Sequence, residues 1–132
     1  EAIRNLGLLQ QIRATLSDAH FGIAIDDFGT GYASLGRVIT LKPNIIKFDR
    51  SLISNIHKDK AKRAFAESLV EASKSTNSEI LAEGVELIEE FEVLKAIGVD
   101  LVQGFLTHKP SSSETILKQI NSKQPKALNT VA

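Results

Sequence analysis

A chain of 132 residues, 42% hydrophobic and with 16 acidic against 16 basic side chains, is long enough to bury a core and predicts a soluble globular unit of one domain's size. Its formal net charge of zero excludes a general attraction to nucleic acid polymers or anionic membranes, so an anionic ligand has to be held by local groups. No cysteine is present, which excludes disulfides and thiolate chemistry and is compatible with a reducing cytoplasm; no apolar run reaches spanning length, and no signal-peptide pattern opens the chain.

The chain also lacks methionine, and Glu1 is therefore read as the cut end of something longer. Leu8, Leu9, Ile12 and Leu16 recur at helical spacing and predict a first helix, which Asp18-Ala19-His20 leads toward a strand at Gly22 to Ile25. A short helix is expected over Tyr32 to Ile39, then a turn at Pro43 and a second strand, Ile45 to Phe48. Ala61 to Ser73 predicts a helix with Phe65, Leu69, Val70 and Ala72 toward the sheet. Strand three is expected at Glu79 to Ala82, a helix at Leu87 to Ile97 stopped by Gly98, and strand four at Leu101 to Gly104. Ser111 to Ser113 offer caps for a last helix, Glu114 to Ile120, and residues 124–132 read as a flexible tail after a unit covering 1–123. Strands alternating with helices predict successive βα units on a parallel sheet, an α/β fold.

Two adjacent carboxylates, Asp26-Asp27, end the first apolar run, a poor place for core residues and a good one for metal ligands. In parallel α/β proteins the carboxyl ends of the strands form one rim, where active sites lie. Hard divalent ions take carboxylate oxygens, and one carboxylate can bridge two ions while its neighbour completes a shell. The other strands also end in polar groups: Lys47 and Asp49, Glu83 with Glu86, and Gln103. Each has a local alternative. Lys47 can snorkel to solvent, Asp49 can cap the turn into Arg50-Ser51, Glu86 can start the next helix, and Gln103 can satisfy backbone groups. Together they point to a site, because charged groups amid buried strands are costly unless they pair with one another or with metals.

The runs Asp26-Asp27-Phe28-Gly29-Thr30-Gly31-Tyr32-Ala33-Ser34-Leu35, Lys47-Phe48-Asp49-Arg50-Ser51, Ala82-Glu83-Gly84-Val85-Glu86 and Gln103-Gly104-Phe105 resemble the EAL-domain family over nearly the whole chain, matching the later half of that domain. The resemblance implies half of a (β/α)8 TIM-type barrel and a bacterial second-messenger phosphodiesterase that hydrolyses cyclic di-GMP to pGpG with Mg²⁺ or Mn²⁺. It implies Asp26 and Asp27 as metal ligands, with Asp26 the bridge, Lys47 orienting the nucleophilic water, and Glu83 as general base or organiser of the metal site. Glu86, Gln103 and Asp49 become supporting members of the pocket, and Lys109, before Pro110, a contact to phosphate or base. Phe28, Gly29, Thr30 and Gly31 fall in the loop that couples the site to a homodimer interface.

The Glu-Ala-Leu signature with its metal-binding glutamate, and the asparagine strand after it, are not in the chain; the resemblance implies a third acidic ligand at the end of the strand just before the first helix, and Glu1 falls near that place but short of its spacing and is not assigned to it. The expectation is therefore an incomplete two-metal site, inactive alone, with two open sheet edges and a bare apolar face. The competing reading is a non-catalytic nucleotide sensor or interaction module on the same fold. An unrelated phosphate-handling enzyme has no GxGxxG, Walker-type lysine or HExxH motif to support it.

Overall fold

The computed structural model describes residues 6–29 and 35–123. In chain order these form α1 (Leu6–Asp18), β1 (Ala24–Phe28), α2 (Leu35–Leu41), β2 (Ile45–Phe48), α3 (Arg50–Ile53), α4 (Lys60–Thr76), β3 (Glu79–Glu83), α5 (Ile88–Ile97), β4 (Leu101–Gln103) and α6 (Ser113–Lys123). The strands make one parallel sheet in the order β1-β2-β3-β4, so each βα unit lays its strand beside the last, as in half of an eight-stranded βα barrel.

Ile25, Phe28, Ile46, Phe48, Ile80 and Ala82 are buried beneath Val38, Leu52, Ile53, Ala66, Val70 and Leu94 from the helical layer. The opposite face is less covered and carries Asp26, Lys47 and Glu83. Helix ends follow local chemistry. Asp59 accepts from the N–H of Ala61 and of Lys62 to start α4, Asn77 ends it in the left-handed region, and Gly98 ends α5 at φ 88°, as its place in the sequence predicts.

Several expectations change. β1 runs from Ala24 to Phe28 rather than Gly22 to Ile25, so both aspartates lie within it. β4 stops at Gln103 because the next residue turns against Val85, and the helix expected over Tyr32 to Ile39 is seen as Leu35–Leu41, residues 32–34 lying outside the described residues. Arg50-Ser51, read as a turn that Asp49 can cap, open a short helix, Arg50–Ile53. On α4 Val70 is buried and Leu69 packs against the core as expected, but Ala66 and Ser73 complete the buried face in place of Phe65 and Ala72, which are exposed. Ile116, Leu117 and Ile120 of α6 are exposed despite their apolar spacing. The expected tail, 124–132, lies outside the described residues, as does Glu1. Among the described residues no helix is long and apolar enough to cross a membrane.

Candidate active site

Parallel pairing sets the site. Ile25 of β1 faces Ile46 of β2, but Phe28 faces Phe48, so three steps on β1 match two on β2. The extra residue is a β-bulge: Asp26 and Asp27 together stand opposite Lys47, and Asp27 takes φ 53° to absorb the surplus. Aspartate tolerates that left-handed geometry better than most residues because its short side chain bonds to nearby backbone. The Asp27 N–H donates to Oδ1 of Asp26 at 3.0 Å, which fixes the pair.

Lys47 then joins two strands to its own. Its Nζ donates to Oδ1 of Asp26 at 2.9 Å and lies 2.8 Å from Oε1 of Glu83 on β3. Hydrogen bonding to Asp26 first, and to Glu83 second, raises the lysine pKa well above its ordinary range, so Lys47 stays protonated. The same bond to Lys47 is the chief cause that holds Asp26 below the usual carboxylate range, and its side chain remains 62% exposed and open to a further cation.

The remaining candidates divide. Glu86 pairs with Arg50, Oε2 to Nη2 at 2.7 Å, just beyond the strand ends. Gln103 stands beside Glu83 in the β3–β4 register, with its residue exposed. It borders an open cleft of about 310 Å³ lined also by Phe105, His108, Lys109 and Ile116, in which the Lys109 ammonium sits 5.6 Å from the Phe105 ring centre. Asp49 does what its local alternative offered: Oδ1 accepts from the Ser51 N–H at 2.8 Å and caps α3, and these bonds lower its pKa. Phe28 is buried in β1 and Gly29 follows it, whereas Thr30 and Gly31 lie outside the described residues.

Two residues in this neighbourhood received no role from the sequence. Arg50 stood in a quoted motif but pairs with Glu86 only through tertiary structure. Glu90 is buried in the first turn of α5; its signal was the acidic residue three places after Leu87, the spacing of a helix N-terminus.

The donors fit a divalent ion in kind, being hard carboxylate oxygens, but not in number. Among the described residues no group of three or more Asp, Glu or His side chains is placed to hold a metal ion. A shell of six oxygens needs ligands from beyond Asp26, Asp27 and Glu83.

Known proteins resemble this chain in sequence and fold. The family model for the EAL domain covers residues 1–110. The bifunctional diguanylate cyclase/cyclic di-GMP phosphodiesterase MucR of Pseudomonas aeruginosa is 36% identical over 120 residues, 91% of this chain and 17% of MucR. A standalone EAL protein from Vibrio cholerae O395, solved with c-di-GMP bound, superposes at a TM-score of 0.79 and 37% identity over 85% of this chain and 47% of that one. Klebsiella pneumoniae BlrP1, solved as a manganese/cyclic di-GMP complex, superposes at 0.73 with 36% identity, over 80% of this chain and 27% of BlrP1. The chain thus spans less than half the length of each of these three relatives.

Proposed function

The chain belongs to the EAL domain family, and we propose that it supplies the Asp26–Lys47–Glu83 rim of a metal-dependent phosphodiesterase that hydrolyses cyclic di-GMP. One observation carries the reading: a single protonated lysine joins carboxylates from the two strands that flank its own, at the carboxyl end of the parallel sheet, the end at which βα barrels in general carry their active sites.

Asp26, Asp27 and Glu83 are the residues that would hold Mg²⁺ or Mn²⁺, completed by ligands beyond the described residues; such an ion lowers the pKa of bound water and offsets phosphate charge. Lys47 is too firmly protonated to act as a base, so it donates hydrogen bonds, orienting a water or meeting a non-bridging phosphate oxygen. Glu83 can take the proton of the attacking water, since its carboxylate is partly exposed and held by one partner in an ion pair. Asp26, held ionised by Lys47, keeps its negative charge at neutral pH and can serve as a ligand throughout. The cleft beside Gln103, with Lys109 at its wall, offers room and positive charge for part of the nucleotide. We assign the unit to the cytoplasm and expect the intact domain to work as a homodimer.

Calorimetric titration of cyclic di-GMP in Ca²⁺ tests this reading without requiring turnover. Weak, divalent-dependent binding that disappears in Asp26→Asn is the expected result; binding indifferent to both the ion and Asp26 would overturn it.

A further inference from the structure

Glu90 is the one charged residue that is buried among the described residues, at 4% exposure, and the proposed chemistry does not use it. A buried carboxylate costs several kcal/mol unless its oxygens find donors. Here they do, on two sides. Oε2 accepts from the N–H groups of Glu86 and Leu87 at 3.3 Å each, which closes the open end of α5. Oε1 accepts from the N–H of Asn55 at 2.9 Å, on the turn that follows α3.

Capping α5 needs only the first of these contacts. The second ties the β3–α5 loop to a segment 35 residues earlier. The same two segments meet twice more. Arg50 pairs with Glu86 at 2.7 Å, and Gly84 lies so close to the Arg50 side chain that an added Cβ would stand 2.9 Å from its Cγ and Cδ. Both segments leave directly from the rim: Arg50 follows Lys47 by three residues, and Glu86 follows Glu83 by three.

We propose that Glu90 is a positioning residue, whose two oxygens pin the turn after α3 to the loop after β3 and so fix the Glu86–Arg50 pair at the edge of the nucleotide site. The nucleotide part of this inference rests on the function proposed above. A carboxylate suits the task because it offers an acceptor on each side and no hydrogen to oppose the three amide donors.

The test uses the whole 132-residue chain and the variants Glu90→Ala, Glu90→Gln and, as control, Glu89→Ala, an exposed acid in the same helical turn. Amide exchange at Asn55, Glu86 and Leu87 and the NMR signal of the Arg50 side-chain Nε–H report the brace; titration of cyclic di-GMP in Ca²⁺ reports its consequence. Glu90→Ala is expected to speed exchange at all three amides, shift the Arg50 signal, and weaken nucleotide binding about tenfold. Glu90→Gln, with one acceptor oxygen in place of two, lies between it and the wild type, and Glu89→Ala changes nothing. Unaltered Arg50 and amide signals in Glu90→Ala, or in Glu90→Gln if the alanine variant does not fold, would overturn the brace. Displaced signals with undiminished binding would overturn its role at the site. A wild type that binds no nucleotide but whose Arg50 signal moves in Glu90→Ala would support the brace and refute the function proposed above.

Discussion

Asp26 reaches Lys47, at 2.9 Å, because β1 carries one residue more than β2 across the segment from Ile25 to Phe28. The bulge turns Asp27 into the left-handed region and leaves the Asp26 carboxylate at the lysine. Lys47→Met should therefore let the Asp26 pKa rise toward the ordinary carboxylate value, since its chief source of depression is gone. Carboxyl-resolved NMR titration of the metal-free chain reads this directly. An Asp26 titration unmoved by Lys47→Met would show that the bond does not persist in solution.

Metal binding by the chain alone should be weak, with a Kd on the order of 10⁻⁴–10⁻³ M for Mn²⁺, because too few carboxylates converge among the described residues to fill a shell. Asp26→Asn should weaken it further, and no pGpG should form. Electron paramagnetic resonance of free Mn²⁺ during titration gives the constant. Micromolar binding would mean that ligands outside the described residues already complete the site.

Gly104→Ala should cost more than about 2 kcal/mol, since the new Cβ would stand 2.2 Å from the Val85 carbonyl oxygen and 2.4 Å from its nitrogen. That backbone cannot easily move: Val85 N–H donates to the Gln103 carbonyl, and the Val85 carbonyl accepts from Leu106. Gly22→Ala, whose Cβ would make only ordinary contact with Asn44 at 3.5 Å, is the comparison and should be nearly neutral. Urea unfolding of both variants distinguishes a local clash from a general sensitivity to lost glycine.

Asp49 and Glu90 both titrate below their ordinary values: Asp49 through hydrogen bonds from Ser51, and Glu90 because three backbone N–H groups outweigh the upward push of burial. A folded pKa below the unfolded one means stability that is present above the unfolded value, about 4, and lost as pH falls through the lowered values. Stability should therefore decline below about pH 4, and Asp49→Ala should remove about 1 kcal/mol at pH 7 and flatten part of that decline. Denaturant midpoints between pH 2.5 and 7 measure both. An Asp49→Ala variant with the full acid slope would show that the cap contributes nothing to it.

The sheet has two edge strands, β1 and β4, with no further neighbour among the described residues, and Leu101 on β4 is 40% exposed. Unpaired parallel edges bearing apolar residues favour association. Light scattering should show mass rising with concentration, and Leu101→Lys should reduce it. A monodisperse monomer up to millimolar concentration would count against it.

The order of the βα units and the rim residues were legible because they rest on local signals. Ile45, Ile46 and Phe48 make a short apolar run, interrupted by Lys47, after a proline turn, and the structure returns that strand with the same limits. Gly98 stops its helix as a residue free to take positive φ. The membership of Asp26, Lys47 and Glu83 in one rim follows from parallel strands sharing a direction, and the structure joins all three. What the sequence could not decide depends on partners distant along the chain. The bulge at Asp26-Asp27 exists only relative to the register of β2, and apolar spacing did not reveal that Phe65 is exposed while Ala66 is buried. Glu90 reads locally as a helix-start acid; its second oxygen acquired a role only when the fold brought Asn55 within 2.9 Å of it.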